Sequence, residues 1–271
     1  MYHFFPGKLI LSIGSAGCNM TCRFCQNWQI SQCSTENLRN ESVYSSDLLN
    51  TALKEPRNIG IAFTYNEPIV GFEFMLETAE LFKNSGKNTA MVSNGYIQEK
   101  PLLSLIPFID AYNIDLKSFS NEFYKKQTGA LLEPVKQTLV HLTKNHKHVE
   151  ITNLVIPGLN DDECEFTEMI NWIAGNLGQN IVLHLSRYHP MYKTDKPSTP
   201  LELLENFYNI ASEKLDYVYI GNTNQMEHQS TQCPMCHKKV ILRSGYFIEN
   251  VGLDENGCCN FCGNPILTTF H

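Results

Sequence analysis

Between residue 8 and about residue 215 the chain alternates two textures: short apolar runs rich in β-branched residues, then longer stretches with apolar positions at helical spacing. The runs KLILSIG (8–14), IGIAFT (59–64), TAMVSN (89–94), AYNIDL (111–116), VEITNLVI (149–156) and IVLHLS (181–186) predict strands, and YVYIG (217–221) predicts one more at an edge. Near-continuous apolar strands suit a parallel sheet covered on both faces. Between them, VGFEFMLETAELFKNSG predicts a helix that stops at Gly86, a residue suited to a C-terminal cap. DDECEFTEMINWIAGNLG predicts another, with Asp161 as its cap and acidic residues in its first turn. TPLELLENFYNIASEKL predicts a third, with Thr199 as cap, Pro200 at the first helical position and Glu202 three residues after the cap.

Strand–helix units at a spacing of roughly 30 residues predict an α/β fold, a partial (β/α)6 TIM-like barrel, because eight complete units take about 250 residues. An open doubly wound sheet is the alternative. Near residue 222 the polar stretch NTNQMEHQSTQ reads as a linker. The chain thus divides into a barrel domain, residues 1–222, and a small cysteine-rich tail, residues 223–271.

Composition sharpens this picture. A hydrophobic fraction of 42% supports a substantial core. A net charge of -7 without a long basic run argues against a nucleic-acid partner. No run of 18 apolar residues predicts a membrane span, and MYHFFPGKLI lacks the charged-then-apolar order of a secretory signal. The 10 cysteines gather mostly into two groups, 18–25 and 233–262. Grouped thiols without a signal peptide read as metal ligands in a reducing compartment, so the expected location is the cytoplasm.

The first group is GCNMTCRFCQNW, with Cys18, Cys22 and Cys25 on one loop directly after the first strand. Loops at that end of β/α-barrel strands carry active sites. Three thiolates hold three irons of a [4Fe–4S] cube and leave the fourth iron open, whereas electron-transfer clusters take four. A zinc site and buried free thiols are the alternatives, and Cys33 reads as unrelated. The second group, CPMC (233–236) and CNFCG (259–263), offers Cys233, Cys236, Cys259 and Cys262. Two C-x2-C pairs suit a closed tetrahedral zinc site, a zinc ribbon with VILRSGYFI as hairpin. Cys259 is preferred to Cys258 because it completes C-x2-C with Cys262 ahead of Gly263. A rubredoxin-like iron site is the rival.

The spacing C-x3-C-x2-C, with the aromatic Phe24 before the last cysteine, resembles the radical S-adenosylmethionine (radical SAM) enzymes. That resemblance implies a barrel of the radical SAM type, the [4Fe–4S] cluster, S-adenosylmethionine and a low-potential electron donor. It also implies a reaction: reductive cleavage of the sulfonium gives methionine and a 5′-deoxyadenosyl radical, which abstracts hydrogen from a substrate. TYNEP, at the end of the second strand, stands where relatives often carry G-G-E-P, and assigns Tyr65, Asn66 and Glu67 to cofactor binding. Ser93 and Asn94, in SNG before Gly95, join them. Asp115 and Lys117 lie two apart on the fourth strand and so share a face. Arg187 and His189, in HLSRYHP, are further contacts to the cofactor or substrate.

Segments spread over nearly the whole chain, among them LSIGSAGCNMTCRFCQNWQIS, GIAFTYNEP, DLKSF, LVIPGLNDD and HLSRYHPMYK, resemble the radical SAM component of the AmmeMemoRadiSam system. This implies partners of the Memo or AMMECR type and a likeness to pyruvate formate-lyase activases. That group commonly begins with roughly 60 more residues. Against glycyl-radical activases, Val92 and Thr152 replace an expected acidic residue and arginine, whereas Asp115, Lys117 and His189 match. The expectation is a radical enzyme acting on a protein or small molecule. A glycyl-radical activase and a non-catalytic zinc-binding interaction protein are the alternatives.

Overall fold

The computed structural model describes residues 1–33, 43–223, 228–245 and 247–267; residues 224–227 of the expected linker and Tyr246 of the expected hairpin lie outside them. Seven strands form one sheet: β1 (Leu9–Ile13), β2 (Asn58–Phe63), β3 (Asn88–Ser93), β4 (Ala111–Asp115), β5 (His148–Val155), β6 (Val182–Arg187) and β7 (Tyr217–Gly221). Each is parallel to the one before, in the order of the sequence. Every crossover therefore steps one place in the same direction. A doubly wound sheet reverses its order at a switch point, so that alternative falls. β7 extends the six units expected, and β1 and β7 remain edges, so the ring is incomplete.

The helices α1 (Trp28–Ser31), α2 (Ser45–Leu53), α3 (Phe72–Asn84), α4 (Glu99–Leu105), α5 (Asn121–Phe123), α6 (Leu132–Lys144), α7 (Glu163–Asn176) and α8 (Leu201–Ser212) occupy the crossovers. Their apolar stripes meet the outward residues of the sheet, such as Ile61, Met91, Ile114, Ile151 and Leu183, all without exposure. Each such side chain contributes about 2 kcal/mol by leaving water. Gly86 ends α3 at φ +69, with Gly86 N–H donating to Lys83 O and Lys87 N–H to Phe82 O. The cap of α7 is Asp162 rather than Asp161: its Oδ1 accepts from Glu165 N at 2.8 Å. Thr199 caps nothing. Its hydroxyl donates to Val155 O at 2.6 Å and accepts from Tyr188 N at 2.8 Å, tying together the ends of β5 and β6, and α8 starts at Leu201.

Inside the ring, the N-terminal ends of the strands are sealed. Ala62, Ala90 and Ala111 project little volume, and Phe4 and Phe5 fill the space they leave. Beside them Glu150, fully buried on β5, accepts from Tyr2 N and His3 N at 2.8 Å, His148 Nε2 at 3.0 Å and His184 Nε2 at 2.6 Å. Burial alone would raise the Glu150 pKa. The chain's amino group and the two imidazoles outweigh burial and hold it well below the usual carboxylate range.

A second, antiparallel sheet follows: β8 (Thr231–Gln232), β9 (Lys239–Ser244) and β10 (Phe247–Asn250), with β9 in the middle. Its Val240 and Ile241 pack on Val182, Tyr217 and Tyr219 of β6 and β7. Arg243 lies 4.3 Å over the Tyr2 ring and donates to Tyr2 O at 2.7 Å. Tyr219 Oη bridges His3 Nε2 at 2.6 Å and Thr231 Oγ1 at 2.8 Å. The N-terminal segment is thus clamped between barrel and tail. Among the described residues no helix is long and apolar enough to cross a membrane.

Candidate functional site

The opposite, C-terminal ends of the strands surround a cavity of about 280 Å³. Strand alternation decides what faces it: the residues of β4 and β5 that continue the inward set, Asp115, Lys117, Thr152 and Leu154, line it, whereas Ile114 and Val155 lie in the helix-facing core. The loop after β1 brings Cys18, Cys22 and Cys25 to the same cavity.

That loop is braced from several sides. Asn66 Nδ2 donates to Gly17 O at 2.7 Å, and Asn66 Oδ1 accepts from Ser15 N at 3.0 Å. Asn27 Nδ2 donates to the carbonyl of Tyr65, a residue with φ +71. Across the mouth, Thr21 N–H and Arg23 N–H donate to Thr128 O and Gln127 O, at 2.8 and 2.9 Å. Glu67 is buried under the cavity wall. Its carboxylate accepts from Ser93 Oγ at 2.9 Å, Asn94 N at 2.8 Å and Ile69 N at 3.2 Å, joining the ends of β2 and β3. Burial pushes its pKa up to about 7 against the pull of those donors. Gly95 sits at φ +71, and a Cβ there would lie 2.7 Å from Ile114 Cγ2, so any side chain would strain the turn and displace Ile114.

Asp115 and Lys117 pair at 2.9 Å inside the cavity, with Lys117 Nζ 6.0 Å from the centre of the Phe24 ring. Burial disfavours the ammonium, but the adjoining carboxylate more than offsets it, and the Lys117 pKa stands above the ordinary lysine value. Tyr65, Asn66, Glu67, Ser93 and Asn94 also line the cavity. Arg187 and His189 do not. Arg187 follows Ser186 on β6, so Ser186 faces the cavity while Arg187 Nε donates to Thr199 O at 2.8 Å. His189 is exposed beyond the strand, 3.2 Å from Ser198 Oγ. Thr64 and Ser186 are lining residues without a local sequence signal.

The two cysteine groups differ in geometry. In the tail, Cys233 Sγ lies 3.5 Å from Cys262 Sγ and Cys236 Sγ lies 3.6 Å from Cys259 Sγ. Those four sulfurs all fall within 4.8 Å of one another, as a single ion with bonds of about 2.3 Å requires. Among the described residues no other set of ligand atoms does so, the loop thiols included. Three thiols spread around a cavity suit several metal atoms, not one. Burial raises the pKa of Cys18, and that of Cys22 to about 11, so a bound cation is what would make them thiolates. The loop therefore fits an iron–sulfur cluster by its donor set.

An uncharacterized protein of Methanocaldococcus jannaschii is 39% identical over 98% of this chain and 80% of its own. The pyruvate formate-lyase 1-activating enzyme of Escherichia coli is 23% identical over 65% of this chain and 73% of its own. Among solved structures, Streptococcus suis SuiB bound to S-adenosylmethionine superposes with a TM-score of 0.63 at 14% identity, over 81% of this chain and 51% of SuiB, a likeness of fold. The chain thus spans about half the length of SuiB. A family model described as the Radical SAM superfamily matches residues 12–171. The match takes in the cysteine loop, the Glu67 and Asn94 turns and the Asp115–Lys117 pair, more than half of the sequence in all, and the chain belongs to the radical SAM superfamily.

Proposed function

We propose that the protein is a radical SAM enzyme of the AmmeMemoRadiSam type, with Cys18, Cys22 and Cys25 as ligands of a [4Fe–4S] cluster. The observation that carries this reading is that three thiols line one cavity together with a charged pair. When bound and reduced, the cluster supplies the single electron that cleaves S-adenosylmethionine, and the resulting 5′-deoxyadenosyl radical takes a hydrogen atom from the substrate. The chain's own residues position the reactants. Asp115 and Lys117 offer a carboxylate and an ammonium side by side, complementary to the zwitterionic methionine end of the cosubstrate. Tyr65 and Asn66 hold the loop in register, and Glu67, Ser93 and Asn94 form the polar wall beside it. Arg187 and His189 receive no role in this scheme. In the tail, Cys233, Cys236, Cys259 and Cys262 would hold one zinc ion.

The test is anaerobic reconstitution with iron and sulfide, then a low-potential reductant and S-adenosylmethionine. The expected product is 5′-deoxyadenosine. Cys22→Ala abolishes it and leaves the tail metal in place. Zinc at the loop thiols of anoxically purified protein, or no cleavage product, overturns the reading.

A second reading, activation of a glycyl-radical protein, is favoured by the similarity to the pyruvate formate-lyase 1-activating enzyme. A glycyl radical appearing in an added glycyl-radical protein supports it. Radical chemistry that requires a Memo-type or AMMECR-type partner supports the first.

A further inference from the structure

We propose that Asn94 is a positioning residue that sets the reduction potential of the loop cluster by donating a hydrogen bond to Cys18. This rests on the cluster reading above and goes beyond it. Asn94 is buried, and its Nδ2 lies 3.6 Å from Cys18 Sγ and 2.8 Å from Asn19 Oδ1. The amide orientation is settled by its neighbours. Asn94 Oδ1 accepts from Tyr96 N at 2.8 Å, and Asn19 Nδ2 donates to Tyr96 O at 2.8 Å. Turning the amide over would set oxygen against the Asn19 oxygen and the sulfur, and NH2 against an N–H.

The arrangement is one-sided. Cys18 Sγ also accepts from Met20 N at 3.4 Å. Among the described residues these two are the hydrogen-bond donors to a loop sulfur; Cys22 and Cys25 have neither as a partner, while the Lys117 charge acts on Cys18 and Cys22 alike. One electron, delivered by a low-potential one-electron donor, adds one negative charge that spreads onto the thiolate sulfurs. An N–H pointed at a sulfur stabilises the reduced form more than the oxidised form, and so raises the potential. The low local dielectric around the buried Asn94 strengthens the effect. The Asn94 backbone N–H is meanwhile held by Glu67, which fixes the side chain's starting point.

The test is a potentiometric titration followed by electron paramagnetic resonance on reconstituted wild type, Asn94→Ala, Asn94→Asp and Asn94→Ser, with iron content measured in each. The midpoint shifts negative in Asn94→Ala and further in Asn94→Asp, which replaces a donor by a charge. Asn94→Ser recovers part of the shift. A wild-type midpoint in Asn94→Ala at full iron content overturns the proposal. Should Asn94→Ala fail to hold iron, Asn19→Ala decides: it removes the acceptor that aims the amide and shifts the midpoint negative by a smaller amount, whereas an unchanged midpoint overturns the proposal. A wild-type protein that holds no iron–sulfur cluster fails the parent reading, a distinct outcome.

Discussion

Two groups of cysteines, built from the same C-x2-C element, arrive at opposite designs. In the tail, two such elements face each other and four sulfurs converge within 4.8 Å. Every ligand position of a single ion is filled by protein, and the site serves the sheet around it. In the loop, one C-x2-C carries a third cysteine upstream, the three thiols form no single-ion group, and they line a cavity with Asp115 and Lys117 at its wall. The same side chain becomes scaffold or reactive platform according to how many partners the fold supplies.

The sharpest break of this comparison is a paired substitution. Cys22→Ala is expected to reduce 5′-deoxyadenosine formation to background with the tail metal unchanged. Cys259→Ala is expected to lose the tail metal, worth on the order of 10 kcal/mol in structural zinc sites, with loop iron retained. Metal analysis of both proteins reads the outcome, and joint loss of both metals would dissolve the distinction.

Next in size is the sealed end of the barrel. Glu150→Ala strands two imidazoles and two backbone N–H groups without their acceptor. The expected loss is about 3–5 kcal/mol in urea unfolding, with tail metal content unaffected. A loss below 1 kcal/mol would show that the cluster of buried groups holds nothing.

The smallest effect concerns the cavity wall. Glu67 has its pKa raised to about 7 by burial, against an unfolded value near 4.5. Below 4.5 both states are protonated and the group is neutral in its effect. As pH rises from 4.5 to 7 the unfolded chain ionises first, so stability falls by up to about 3 kcal/mol and then levels. Without metal or cosubstrate, Glu67→Gln should therefore gain on wild type across that window. A difference independent of pH would refute the assignment.

Much of the catalytic end was legible because its signals are local. The cysteine spacing, Gly95 and the strand periodicity each report on a few neighbouring residues. The Asp115–Lys117 pairing followed from a period of two. Arg187 shows where that reasoning needs more: Ser186 and Arg187 differ by one position, and only the register of β6 tells which one faces inward. Asp161 and Asp162 differ in the same way. The Glu150 site was illegible for another reason. His148, Glu150 and Thr152 alternate within VEITNLVI and its flank, but the acceptor's partners include Tyr2 and His3, 148 and 147 residues away. Nothing near Glu150 in the sequence announces them. Thr199 likewise looked like a cap because its true partners, Val155 and Tyr188, are distant or outside the helix.

The clamped N-terminal segment also bears on how the chain reaches this shape. Tyr2 and His3 dock against β5, β6 and β7, and Tyr2 also against Arg243, 241 positions away. Phe4 and Phe5 therefore stay exposed until β2, β3 and β4, which carry Ala62, Ala90 and Ala111, have come together. Such long-range closures are slow and leave sticky intermediates. Shortened chains lacking β9 would be expected to assemble the helices and strands yet leave Tyr2 without its Arg243 latch.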